Sequence, residues 1–171
     1  MVEKEIKTLI DEEEMDGPAT YTKLKSDDWE VSVYRSCEGG GTGREFFSNL
    51  KLEGNEAWNK WYDPSYGETW ILAKFKTPTL IKMIGLKSAN DCPERDPYKV
   101  EILVEYDNNQ NFILVETLDE LDFDERHQLQ DFSLNMEGKI TALKVLIKIN
   151  KAVKNGQYGS GTQLNELVLY K

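Results

Sequence analysis

The chain's 171 residues are enough for one domain with a sizeable core, and its 39% hydrophobic and 30% charged content is that of an ordinary globular protein. A net charge of −10 and a pI near 4.7 count against a nucleic-acid or anionic-membrane surface, because holding phosphate needs clustered lysine and arginine. Two cysteines, Cys37 and Cys92, make no disulfide framework, and no stretch has the character of a membrane span or a signal peptide. The expected setting is cytoplasmic, with the cytoskeleton or cilium as the narrower expectation.

Residues 1–28 read as an acidic N-terminal arm, helical or disordered, and residues 29–171 as the folded domain. Within 1–16, seven acids against Lys4 and Lys7 carry half of the net charge. Val2, Ile6, Leu9 and Ile10 share one short helical stripe, which Gly17-Pro18 ends. So short a helix is marginal alone in water, so the arm either frays or needs a partner's groove.

From Trp29 onward the pattern is β. Trp29, Val31 and Val33 alternate on one face, as do Ile71, Ala73 and Phe75 within 69–75. Leu80, Ile84 and Leu86 follow around Lys82. Then come 98–106, 111–117, 129–134, 141–149 and 164–170. In 141–149, Leu143, Val145, Ile147 and Ile149 face in while Lys144 and Lys148 face out. Asp107 to Asn111 marks a hairpin turn. About eight strands at this spacing predict an all-β, antiparallel sandwich or barrel.

Between two of these strands, Ser88 to Pro97 packs two prolines and four charges into a short connection that can continue neither a helix nor a central strand. With Trp70–Phe75 and Ile81–Leu86 before it, this loop resembles the galactose-binding-like β-sandwiches, the discoidin or coagulation-factor C-type domains and their carbohydrate-binding relatives. The Arg126-containing segment before Phe132 and the closing strand Gln163–Tyr170 resemble the same family. The likeness covers about residues 29–171. It implies an eight-stranded jelly roll, no catalysis and recognition by loops at one end. Asn90, Asp91, Glu94, Arg95 and Asp96 are then a scaffold loop that sets the register of the next strand. Many members carry a structural calcium, and Glu53, Asn55 and Glu166 match parts of that site. Glutamate stands where the family has aspartate and the threonine is missing, so the resemblance leaves the ion open and requires no other cofactor.

Gly39 to Gly43 lacks the Lys-Ser/Thr of a phosphate loop and reads as an inter-strand loop. His127 is the single histidine, with no second nitrogen ligand for zinc and no nucleophile context. The carboxylates of Asp122, Asp124 and Glu125 read as a solvated turn, with a catalytic pair only a remote alternative. Cys92, followed by acids, reads as structural. The aromatic segment 58–70 is the best binding candidate, because Trp and Tyr join a rigid face to a polar edge. Trp58, Trp61, Tyr62 and Tyr66, with the turn Arg126–His127, are the expected ligand-binding residues. Trp70 is expected in the core, together with one of Trp58 and Trp61. The expected function is a non-catalytic recognition module, an intracellular subunit or adaptor binding a protein partner in an assembly. The alternative is a lectin-like, calcium-assisted carbohydrate-binding protein whose partner is a glycan.

Overall fold

The computed structural model describes residues 21–65, 67–107, 109 and 111–171. Among them every strand pairing is antiparallel. The strands are β1 (Trp29–Val33), β2 (Trp61–Asp63), β3 (Thr69–Thr79), β4 (Met83–Lys87), β5 (Pro97–Glu105), β6 (Ile113–Leu118), β7 (Leu129–Ser133), β8 (Ile140–Asn150), β9 (Thr162–Leu164) and β10 (Glu166–Tyr170). One short helix, α1 (Lys151–Lys154), follows β8. The large sheet has the order β1-β3-β8-β5-β6, the second β10-β4-β7, and β2-β9 forms a small ribbon. The result is the expected antiparallel β-sandwich.

Alternation explains the core. Val31, Ala73, Leu143 and Val104 are cross-strand partners in one row of the large sheet, and Val33, Ile71, Val145 and Ile102 form the next. Leu86, Leu167, Ile84 and Leu169 oppose them from the second sheet, all buried. A face of β-branched and leucine side chains on each sheet leaves burial against the other as the stable arrangement.

Three expectations are corrected. The arm does not reach residue 28: Thr22 and Leu24 hydrogen-bond the backbone of Lys171 and Leu169 beside β10, and Leu24 is core, so the sandwich already includes residues 21–28. Residues 1–20 lie outside the described residues. Trp70 sits on the outer face of β3, because Ile71, Ala73 and Phe75 fix the inward parity and send position 70 outward. There it is half-buried against Tyr34, 5.7 Å between ring centroids, and beneath the Lys144 ammonium. Leu80 is exposed and Ile81 takes the core position, since β4 starts only at Met83 and the alternation does not extend back to 80.

The charged loop is braced from outside itself. Cys92 has a left-handed backbone (φ 48°), Pro93–Arg95 makes one 3-10 turn, and β5 begins at Pro97. Asp96 is buried and does not pair with the adjacent Arg95. It accepts two hydrogen bonds from Arg126, at 3.0 Å (Oδ1) and 2.6 Å (Oδ2). The remaining guanidinium reach goes to the Asp91 carbonyl at 3.2 Å and the Ala89 carbonyl at 3.4 Å. Burial pushes the Asp96 carboxyl above its ordinary value, and Arg126 pulls part of that shift back. Arg126 is itself pushed up by its bond to Asp96.

Breaking this pair leaves a buried, uncompensated charge. Arg126→Ala is expected to destabilise by about 3 kcal/mol, the lower end for a buried pair because Arg126 keeps some solvent contact. Arg95→Ala, which loses no ion pair seen among the described residues, is expected to cost less. Urea denaturation of both variants measures the order, and the reverse order would place the brace elsewhere.

Candidate functional site at the loop end

At one end of the sandwich β1, β4, β6 and β8 finish and β3, β5, β7 and β10 begin, with β2 and β9 across it. The long connection 34–60, the charged loop 88–97, the turn 119–128 and the segment 155–161 all gather there.

The β2-β9 ribbon sets the sides. Alternation turns Trp61 and Asp63 inward, both 0% exposed, and leaves Tyr62 half-buried on the other side. Trp61 donates its indole N–H to the Arg35 carbonyl at 2.8 Å. Asp63 accepts from the Ser65 backbone at 2.9 Å and from Arg35 Nε at 3.4 Å. The Tyr62 ring is wedged: the Arg95 guanidinium lies 4.5 Å from its centroid, and Gly161 approaches so closely that any Cβ would overlap the ring and the Asp63 carbonyl. Glycine at 161 is a steric requirement of this junction.

Beside the wedge, Lys60 is buried and donates to Asp91 Oδ1 at 2.9 Å, with Glu45 Oε1 4.0 Å away. Gln163 donates to the Asp91 carbonyl at 2.6 Å and to its carboxylate at 3.1 Å. Gly40 closes over Glu45, whose carboxylate occupies the space a Cβ would need, so the glycine-rich loop wraps an acid. Burial alone would raise the Asp91 carboxyl. Hydrogen bonds from Lys60 and Gln163, with the Lys60 charge, outweigh it and hold the group below its ordinary value. Burial raises the Cys92 thiol, in keeping with a structural cysteine.

Eight buried side-chain polar atoms find no hydrogen-bond partner among the described residues, and all belong to residues at this end: Ser36, Ser65, Thr69, Asn90, Arg95, His127, Gln163 and Asn165. Buried polar groups in native proteins are nearly always satisfied by protein or water, so these atoms mark this end as the polar part of the interior, where ordered water completes the hydrogen bonding.

The expected ligand-binding residues divide. Tyr62 is at this end and half-buried, and His127 stands on the left-handed turn (φ 58°) beside the charged loop. Trp61 is corrected to core, since a fully buried indole offers no face. Arg126 is corrected to a brace, its donors already spent on Asp96 and on loop carbonyls. Trp58 is half-buried with the Arg44 guanidinium 4.5 Å from its ring centroid. Tyr66 lies outside the described residues. Of the scaffold residues, Asn90 and Glu94 are half-buried, Asp91 keeps an exposed edge, and Arg95 turns to Tyr62. Lys60, Gln163 and Tyr158 were missed. Tyr158, 71% exposed, rides the segment leading to Gly161, in a run rich in Gly and Asn that reads simply as a turn. Glu53, Asn55 and Glu166 do meet, on the flank of the second sheet, but with Lys23 and Lys87 among them.

No protein-family model matches the chain, and no curated protein matches it in sequence. Solved structures do match in fold. A family 32 carbohydrate-binding module from Clostridium perfringens, CpGH89CBM32-5 in complex with GalNAc-β-1,3-galactose, superposes with a TM-score of 0.68 at 16% identity, over 88% of this chain and 100% of that one. An F5/8 type C domain from Bacteroides fragilis gives 0.68 at 14% identity, over 89% and 97%. The family 32 module of C. perfringens NanJ, in complex with galactose, gives 0.64 at 13% identity, over 88% and 99%. The fold is therefore the galactose-binding-like sandwich that the charged loop and its flanking strands resemble.

The Lys60–Asp91 contact generates a pH prediction. An Asp carboxyl held below its unfolded value, about 3.9, adds stability that is present above that pH and is lost as pH falls through the folded value. Lys60→Met is expected to return Asp91 toward its ordinary value and to flatten the acid limb of the stability profile. Carboxyl-carbon NMR titration of Asp91 in both proteins checks this; an unmoved Asp91 would assign the shift to another group.

Proposed function

We propose that this galactose-binding-like sandwich is a non-catalytic carbohydrate-binding module whose site is the loop end carrying Tyr62, Asp91, Arg95 and Tyr158. The observation behind the reading is that this end of the sandwich sets aromatic rings, the half-buried Tyr62 and the exposed Tyr158, among polar side chains. Sugars suit such a surface: their hydroxyls both donate and accept, and their C–H faces pack on aromatic rings. Tyr158 offers the exposed ring. Arg95, half-buried over the Tyr62 ring, brings guanidinium donors, and Asp91 adds an exposed carboxylate edge. Two of the modules sharing the fold were solved with galactose-containing ligands, which supports the same reading by analogy. The protein-adaptor reading that the sequence placed first has no comparable observation in its favour.

The chemistry is recognition alone. His127, the single histidine, stands without a nucleophile in reach of any hydrogen bond seen among the described residues. A glycan array followed by calorimetry with galactose and GalNAc-β-1,3-galactose tests the proposal. Tyr158→Ala is expected to weaken binding roughly ten-fold, about 1.4 kcal/mol, in a protein whose cooperative melting shows it to be folded. Arg95→Ala is expected to weaken it at least as much. Failure to bind any glycan at millimolar concentration, or binding indifferent to both substitutions, would refute the assignment.

A further inference from the structure

The calcium that the family resemblance implies would rest on Glu53, Asn55 and Glu166. These residues do converge, in a cleft of ≈ 540 Å³ on the outer face of the β10-β4-β7 sheet, with Leu129, Val168 and Tyr170 also lining it. Each is already bound to an ammonium. Lys23 Nζ donates to Glu53 Oε1 at 2.7 Å and to Glu166 Oε2 at 2.9 Å, and Lys87 Nζ donates to Asn55 Oδ1 at 2.6 Å. Calcium asks for six to eight oxygens and tolerates no cation in its shell. Here two acids and one amide share the space with two positive charges, and among the described residues no three His, Cys, Asp or Glu side chains are placed to hold a metal ion. The donor set does not fit the ion.

We propose that Lys23, seconded by Lys87, is the resident cation of this site and stands in for calcium. Glu166 is 4% exposed, and a carboxylate so buried must be neutralised by something. Lys23 does this from a telling position. Its backbone bridges Tyr170, with flanking hydrogen bonds from Thr22 and Leu24 to Lys171 and Leu169. The residue that supplies the charge thus also belongs to the segment bridged to β10. Charge and bridge arrive together, and this edge of the sheet is closed by a side chain rather than by an ion drawn from solution. Burial alone would lower the Lys23 ammonium, but its bonds to Glu53 and Glu166 more than offset this and leave it above its ordinary value, charged throughout the neutral range. Lys23 in turn pulls the Glu53 carboxyl below its usual range. The assignment is independent of the glycan reading.

Terbium, a calcium surrogate that Tyr170 would sensitise in this cleft, supplies the readout, with melting curves in calcium and in chelator beside it. The native protein is expected to stay dark at millimolar calcium-equivalent concentrations and to melt identically with calcium or chelator. Lys23→Met/Lys87→Met is expected to gain saturable luminescence and a calcium-dependent rise of a few degrees in melting temperature. Lys87→Met alone, with Lys23 in place, is expected to remain dark. Saturable binding by the native protein that Glu166→Gln abolishes would overturn the proposal, as would a folded double variant that stays inert. Should the double variant not fold, native titration against Glu166→Gln decides alone: darkness upholds the assignment, Glu166-dependent binding overturns it.

Discussion

The Asp96–Arg126 pair is the contact on which the loop end depends. Asp96 is buried at the foot of β5, and Arg126 reaches it from the turn before β7, so one contact ties two loops from different sheets. The same guanidinium holds the carbonyls of Ala89 and Asp91, and Ser88 is bonded to the backbone of Glu125 and Gln128. With that seam closed, Asp91 is presented to Lys60 and Gln163 and Arg95 is turned onto Tyr62. A buried ion pair contributes little net stability over an apolar substitute, but it admits few alternative geometries. Here that rigidity is its use: it holds polar groups where no regular strand pairing would hold them.

Apolar packing and polar burial are divided between the two parts of the molecule. The sheets bury leucine and β-branched side chains in matched rows and satisfy their backbones through ladders. The loop end does the reverse, burying polar side chains whose atoms find only part of their hydrogen-bond partners among the described residues and leave the rest to water. Gly40 and Gly161 belong to the same economy of space, since only a missing side chain lets the backbone come so close to Glu45 and Tyr62.

What the sequence revealed follows from the range of the forces involved. Strand alternation is local, so β1, β3, β5 and β8 were legible, and so was the hairpin between β5 and β6. The charged loop was legible as scaffold because its prolines and charges are also local. Its brace was not: nothing in Asp96 says that its partner stands thirty residues away rather than next door at Arg95. Parity, applied strictly, would have sent Trp70 outward, and the expectation of a core tryptophan there let hydrophobicity override period. Lys60 shows no signal at all, for a lysine between Asn59 and Trp61 looks solvated until Glu45 and Asp91 close around it. Lys23 was concealed by the acidic run before it, which made the whole segment to residue 28 look like tail.

Among the described residues of this acidic chain five carboxylates are buried, and four of them meet a cation. Glu166 is met by Lys23, Asp63 by Arg35, Glu45 by Lys60, which also holds the exposed Asp91, and Asp96 by Arg126. Glu105, also buried, accepts from the Thr141 hydroxyl at 2.7 Å instead of a cation. Most of the buried negative charge is thus balanced by a cation, and most of the net −10 belongs to the surface and to residues 1–20. Net charge therefore governs what this protein repels at a distance, while its fold is governed by where a few lysines and arginines are spent. Those four cations are committed to internal partners, so the glycan proposed above would be met by the Asp91 edge, the Arg95 guanidinium and the tyrosine rings without disturbing the pairs that build the loop end.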